Sequence, residues 1–598
     1  MSRPCPLAGF VAIALVVMTA AAGLSACAGL PSSTAVQQGS LVGEPVLQPV
    51  RVQPDSPVPG ATPEQIVRGF LRAGGGGFDD DHAVARSFLA RSIKDQWQPD
   101  SGVTVYTDDS GLKVEPLTPT TIRVTASVVA EVDSSGRYRE TPAGTSAHAV
   151  FRMQKLGGSW RISDPPKGFG LWLSADDMDR SYRSFTVAYV SKASQTMVVD
   201  RRWFPITSGL ATTLARAQVA PVPQYLTGAA RTGIPAGTTL AVDSVPVQSG
   251  TAIVDLSAYA LLADPDARRA MWAQFVTTEM QVASVSAVSL AVNGTGLDLP
   301  DVPGQVSTLT SLGYQSQDPV SVETAILRNG SELSRVSSDR PLERDQPKPP
   351  KVPASAILPN IPPWWIDLAL SGNGQEIAAI SAGHSELARW QWDRHFQLAT
   401  FGSDLTRPSY DSTNGLWVAG EVGGAARVWV IDTSQTPMEK AIPRVIPVPW
   451  LANRAVLALK VATDNQRVAL ITCDRSGGDV QVVVAGITRS ASGAPVALAA
   501  EPLRVGWTLS AANDLAWVDD STLAVVGRVS PKDVMGPQLV EIGGKITPMP
   551  PVAGARLVTN TGGLRGVVVL TDQGKVLARA GSGWQVLQTG TDFLIPGE

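Results

Sequence analysis

The chain has 598 residues, of which 44% are hydrophobic and 17% charged, with a net charge of −4. That length supports several hydrophobic cores. The near balance of charge, with no basic run, excludes the electrostatic footprint of a nucleic-acid binder.

The first residues read "MSRPCPLAG", with one cation at Arg3, and an apolar and small-residue run follows over residues 10–23. This is the n-region and h-region of an export signal, shorter than the roughly 20 residues a helix needs to cross a bilayer. The next four residues, "LSAC", place small side chains just before Cys27 and resemble a bacterial lipobox. The resemblance implies a signal peptide over residues 1–26, cleavage between Ala26 and Cys27, and a lipidated Cys27, S-diacylglycerol on its sulfur and N-palmitoyl on its new amino group. These groups supply three acyl chains, which suits stable anchoring, since a single one holds only marginally. The remainder is then expected on the extracytoplasmic face of the cell membrane.

Of the 3 Cys in the chain, Cys5 leaves with the signal and Cys27 carries lipid. Cys473, in "RVALITCDRSGG", stands alone, so the mature protein has no internal disulfide and no Cys-based metal site. It reads as a buried strand cysteine.

Residues 27–60 are rich in Pro, Ser, Gln and Gly and read as a flexible tether. Residues 61–175 open with "TPEQIVRGFLRA", with Thr62 as cap, Pro63 in the first turn, and Ile66, Val67, Phe70 and Leu71 on one face. The segment "DDDHAVARSFLARSIKDQW" predicts a second helix with Ala83, Ala85, Phe88 and Leu89 inward. Alternating strands follow: "VTVYTD", "GLKVEPL", "TIRVTASVVAEVD" and "GTSAHAVFRMQKLGGSWRISD". Helices followed by a curved sheet ending in "SWRI" resemble the NTF2-like cone, an α+β module. Asp79-Asp80-Asp81 reads as a solvated loop before a helix N-terminus rather than a metal site. His82 and His148 each stand alone and read as structural.

Residues 180–300 predict two strands, "SFTVAYVSK" and "TMVVDRRWFP", a helix over "LATTLARAQVAPVPQYLTGAA", short strands around turns, then a helix and a strand. Asp255, followed by Leu256 and Ser257, reads as a strand-end cap. Trp272 and Phe275 share a helical face and read as core. The set "RRWFP", "YLTGAA", "GIPAGTTL", "AIVDLS" and "VSAVSLAVNG" resembles the GerMN domain, which implies a small α/β fold found in envelope lipoproteins, usually without known catalysis.

Residues 301–363 read as a linker. It contains a possible blade hairpin, "VETAILRNGSELSRVS", and a proline-rich stretch over residues 341–363 where backbone donors are removed. Residues 364–598 repeat a unit of strand, polar turn, apolar strand and further strand, with tryptophans from Trp364 to Trp584. Five units are clear, spaced by roughly 40–55 residues, near the 40–45 of propeller blades. One blade cannot bury both of its faces, so blades stack in a ring. An all-β propeller is expected, with six or more blades if the upstream hairpin joins.

Anchor, N-terminal module, GerMN domain, proline linker and propeller, in this order, resemble the LpqB lipoprotein family of actinobacteria. That resemblance implies a partner, the extracytoplasmic domain of an MtrB-like sensor histidine kinase, whose two-component signalling the lipoprotein modulates. The residues themselves suggest no cofactor, no metal and no catalytic set. "AGHSEL", residues 382–387, begins like a nucleophile elbow, but Leu387 takes the place of the second glycine. His384 and His395 are too far apart for an i, i+4 metal pair, and Ser385 has no predicted strand-to-helix context. The expected function is a non-catalytic binding or regulatory lipoprotein. The alternatives are a protein that binds a cell-wall glycan or lipid, and an envelope hydrolase with a dispersed site.

Overall fold

A computed structural model describes residues 54–315, 321–338, 358–391 and 393–597. Ala26, Cys27, the signal, most of the tether and most of the proline stretch lie outside the described residues.

The N-terminal module starts where its capping chemistry starts. Gln65 N–H donates to Thr62 Oγ1 at 3.3 Å, and Thr62 N–H donates back to Gln65 Oε1 at 2.9 Å. This reciprocal box, with Pro63 at the first position, sets the helix Pro63–Gly74. Its apolar face (Ile66, Val67, Phe70 and Leu71) packs on a seven-stranded sheet. The central strand Thr121–Asp133 buries Ile122, Val124, Ala126, Val128, Ala130 and Val132, the period of two that a half-covered sheet requires. Gly102–Tyr106 joins it antiparallel and takes Leu171–Ser174 parallel on its other side.

The second expected helix is mostly absent. Only Ala83–Ser87 is helical, and Ala83 is exposed. Ala85, Phe88 and Leu89 do face inward, but Leu89 bridges Ile162 and Ala90 N–H donates to the Ile162 carbonyl at 2.7 Å. Pairing with a sheet edge outcompetes helix propagation there, a tertiary override of local pattern.

In the middle module, Tyr182–Ser191 and Met197–Pro205 form an antiparallel pair joined by Ala230–Arg231. A four-stranded sheet pairs Thr251–Leu256 in parallel with Ala287–Val292. The helix expected over "LATTLARAQVAPVPQYLTGAA" ends early, at Leu210–Gln218, with only a 3-10 turn at Gln224–Leu226. Pro221 and Pro223 supply no N–H and stop it. Helix side chains satisfy the open backbone of Tyr182–Ser191. Gln218 Oε1 accepts from Ala188 N at 3.0 Å, its Nε2 donates to Ala188 O at 2.9 Å, and Gln274 Nε2 donates to the same carbonyl at 2.9 Å. Gln281 serves Thr186 in the same way. These amides stand where a further strand would, so the Thr186 and Ala188 backbone groups are paired.

Six sheets close a propeller among the described residues. Blades 1 to 5 begin with the inner strands Trp365–Leu370, Ser409–Tyr410, Arg454–Val461, Ala511–Trp517 and Ala555–Asn560. The hairpin Thr324–Asn329 and Glu332–Ser337, upstream of the proline stretch, pairs with the last strand, Asp592–Leu594, to make blade 6. The ring is thus sealed by joining the two ends of this part of the chain, which leaves no open inner edge.

The modules share packing. Val187, Tyr189, Val198, Tyr225 and Leu226 of the middle module form one apolar cluster with Ile471, Val484, Leu515, Trp517 and Val525 of blades 3 and 4. Approach is close: a Cβ on Gly486 would meet the Tyr225 carbonyl at 2.9 Å. The N-terminal module reaches blade 4 through Glu140, which accepts from Ile546 N at 3.0 Å and from Thr508 Oγ1 at 3.3 Å.

Candidate functional site

The sequence-predicted residues are not brought together into one site. Cys473 is buried in the strand Arg467–Asp474, and burial raises its thiol pKa, the opposite of what a reactive thiolate needs. His384 has a left-handed backbone (φ 52°), and its Nδ1 lies 2.9 Å from the Leu405 carbonyl. Ser385 sits beside it in a turn between two blade strands, with its N–H on Ser381 Oγ at 3.4 Å. His395 stacks on Trp390, with ring centroids 4.8 Å apart. His384, Ser385 and His395 therefore serve separate local contacts.

The other candidates are also structural. His82 is buried between Phe78 and Trp97, and desolvation lowers its pKa. Its Nδ1 has no hydrogen-bond partner among the described residues. The three acids are more than a solvated run: Asp79 accepts from Ser208 N at 2.7 Å, Asp80 caps Ala83 N at 3.2 Å, and Asp81 pairs with Arg86 at 2.9 Å. Asp255 does not cap its own strand. Both its oxygens take Gly294 N–H at 3.0 Å, closing the turn beyond the neighbouring strand. Trp272 and Phe275 are core residues, and the Trp272 indole donates to the Leu297 carbonyl at 3.2 Å. No His, Cys, Asp and Glu group suited to a metal occurs among the described residues.

What the fold does assemble is a cleft of about 820 Å³ between the N-terminal sheet and the propeller. One wall comes from Gly102–Tyr106, Thr121–Asp133 and the exposed loop bearing Lys167. The other comes from the strand Leu503–Val505 of blade 3, with Arg504, and the connection that follows it into blade 4, with Trp507. Arg504 lies 4.3 Å from the centre of the Trp507 ring and Arg139 of the N-terminal module 5.3 Å from it. The two guanidiniums hold the indole at the junction by cation–π attraction. Arg504 Nε is buried with no hydrogen-bond partner among the described residues. His148, hydrogen-bonded to Thr125 Oγ1 at 3.0 Å, lines the same cleft. Arg139, Arg504 and Trp507 carried no sequence signal, because the first lies hundreds of positions from the other two and neither forms a motif alone.

Three family models match in chain order: the N-terminal domain of lipoprotein LpqB over residues 56–179, the sporulation and spore germination domain over residues 186–298, and the LpqB β-propeller domain over residues 366–596. The chain is 28% identical to lipoprotein LpqB of Thermobifida fusca, covering 86% of this chain and 87% of that one. It is 27% identical to lipoprotein LpqB of Cutibacterium acnes, covering 88% of each. The tandem GerMN domains of the sporulation protein GerM from Bacillus subtilis match 26% of this chain and 59% of theirs, at 21% identity and a TM-score of 0.18.

Proposed function

Because this chain belongs to the LpqB lipoprotein family of membrane-anchored proteins, we propose that it acts on the extracytoplasmic face as a non-catalytic regulator that binds the sensor domain of an MtrB-like histidine kinase. The observation that carries this reading is the composite cleft. Its walls belong to two modules, and it presents Trp507, Arg139 and Arg504 on a rigid frame. Tryptophan and arginine are the residues that dominate protein–protein binding energy when held in place. Clefts at module junctions are also the usual place for binding sites. The anchor implied by Cys27 keeps the cleft within reach of a membrane-bound partner, whose local concentration is raised by confinement to the same surface.

The test is equilibrium binding of the full chain, in detergent, to the isolated extracytoplasmic domain of the kinase. Direct binding is expected, and the exposed charge reversal Lys167→Glu at the cleft rim should weaken it. Absence of binding, together with turnover of an envelope substrate by the purified chain, would overturn the regulator reading. Binding that is intact in Lys167→Glu and in a Trp507→Ala variant of unchanged melting temperature would remove the cleft as the docking site.

A further inference from the structure

Five of the six inner propeller strands carry an extra residue at the same level. In blade 1, Asp367 and Leu368 stand opposite the single residue Ala379, and Asp367 takes a φ of 51°. In blade 2, Thr406 N–H reaches the Ala419 carbonyl and Ser409 pairs with Trp417, so Arg407 and Pro408 oppose Val418 alone. In blades 3, 4 and 5 the extra residues are Leu457, Asn513 and Arg556. A bulge turns a side chain out of the sheet's alternation and re-aims it. Here all five re-aimed residues line one cavity of about 340 Å³ at the end of the central channel. Repetition of the device around the ring gives a built mouth rather than a gap left by packing.

The charges at this mouth are mixed and placed by the ring order. Asp404, on the chain entering blade 2, is exposed and lies across the ring from Arg556 of blade 5, which is exposed as well. Asp367 lies across from Asn513 and Asp514. Deeper in, Arg407 donates to Asp592 at 3.0 Å, and Asp592 also accepts from Leu368 N at 3.2 Å and from Phe593 N at 2.9 Å. Arg407 Nη1 is buried with no hydrogen-bond partner among the described residues. Asp514 accepts from Val558 N at 2.8 Å, and Lys460 lines the same space. Leu457 supplies an apolar patch at the rim, 41% exposed.

We propose that the bulge-lined mouth of the propeller channel is a binding site for a small zwitterion, an amino acid or short peptide. Its carboxylate is taken by Arg556, and its ammonium by Asp404 across the ring. Three cations and three acids line the cavity, so a ligand of one sign would meet as much repulsion as attraction, whereas one with separated opposite charges can span from Asp404 to Arg556. The volume falls at the small end of ligand sites, which run from about 300 to 1,000 Å³. This site is separate from the cleft and does not depend on the kinase reading.

The experiment is calorimetric titration of the full chain in detergent with alanine, alanyl-alanine and tetra-alanine. Each of the two peptides is also tested with its amino end acetylated, its carboxyl end amidated, or both. Saturable binding is expected for at least one zwitterion, at least tenfold weaker when either end is capped. Arg556→Gln should lower affinity about tenfold for ligands with a free carboxylate and leave the amidated form unaffected. Asp404→Asn, which keeps a residue tolerant of left-handed φ, should do the same for the free ammonium and leave the acetylated form unaffected. Comparison of the three lengths distinguishes a free amino acid from a peptide end. Doubly capped peptide binding as well as the zwitterion on the unaltered chain, or no binding by any of them, would overturn the proposal and leave the channel charges as purely structural pairs.

Discussion

The indole N–H of Trp203 donates to the carbonyl of Gly543 at 3.0 Å, joining a strand of the middle module to a turn of propeller blade 4. The same indole stacks on Tyr138 of the N-terminal module, with centroids 5.0 Å apart, and carries Lys545 Nζ 5.3 Å from its ring centre. One side chain therefore ties three modules. Gly543 makes the approach possible: its φ is 75°, and a Cβ there would stand 2.8 Å from the Arg201 carbonyl.

Loss of this tie should separate the modules thermally. Trp203→Phe leaves the Gly543 carbonyl without its donor and should cost about 1 kcal/mol, whereas Trp203→Ala removes a large packed ring and should cost about 3–5 kcal/mol. Gly543→Ala adds strain at the positive φ together with the clash. Scanning calorimetry is the measurement. The expected change is a propeller transition that splits from that of the other two modules in Trp203→Ala and Gly543→Ala. A single unsplit transition at the parent temperature in both would refute the role.

Ring closure rests on a second long-range pair. Asp592 and Arg407 are nearly buried, at 5% and 12% side-chain exposure. Asp592→Asn strands the guanidinium, and breaking a buried pair from one side costs about 3–5 kcal/mol. Adding Arg407→Met should recover part of that loss, since no charge then remains unpaired. Denaturant unfolding of the two single variants and the double variant gives the coupling energy. Strict additivity would show that the pair does not hold the ring.

Glu279 should make stability fall as pH rises. It is fully buried at the end of the helix Pro265–Glu279, neither carboxyl oxygen has a hydrogen-bond partner among the described residues, and burial raises its pKa well above the carboxylate range. Between the unfolded and folded pKa values the folded state holds more protons than the unfolded one. Stability is therefore highest below the ordinary glutamate pKa and declines as pH climbs toward the folded value. Glu279→Gln removes that titration. Its melting temperature should exceed the parent's by a few degrees at neutral pH and converge with it in acid. A constant offset across pH would contradict the assignment.

Anchoring is tested at Cys27, which lies outside the described residues. Cys27→Ser should abolish labelling by an alkyne fatty acid and leave the chain uncleaved after Ala26, which mass spectrometry of the amino terminus reads directly. Equal label on variant and parent would exclude the lipobox. Among the described residues no helix is long and apolar enough to span a membrane.

Much of the local design was legible in the sequence because it is written in short periods. The Thr62 cap and the apolar face of Pro63–Gly74, the alternation of Thr121–Asp133, the core placement of Trp272 and the repeating blade unit all follow from neighbours within a few positions. Such patterns record which side of an element faces apolar surroundings, and that is a local property.

Tertiary structure alone decided the rest. Phe88–Ala90 left its helical pattern because Ile162 offered backbone partners. The hairpin of Thr324–Asn329 and Glu332–Ser337 became a blade only on meeting Asp592–Leu594. Trp507 acquired its two arginines from separate modules, and Asp367, Arg407, Leu457, Asn513 and Arg556 converged only when bulges at one level were wound into a ring. None of these relations has a sequence period, since each depends on where distant strands pack. A side chain's type determines what it can bind, but chain closure determines what it meets.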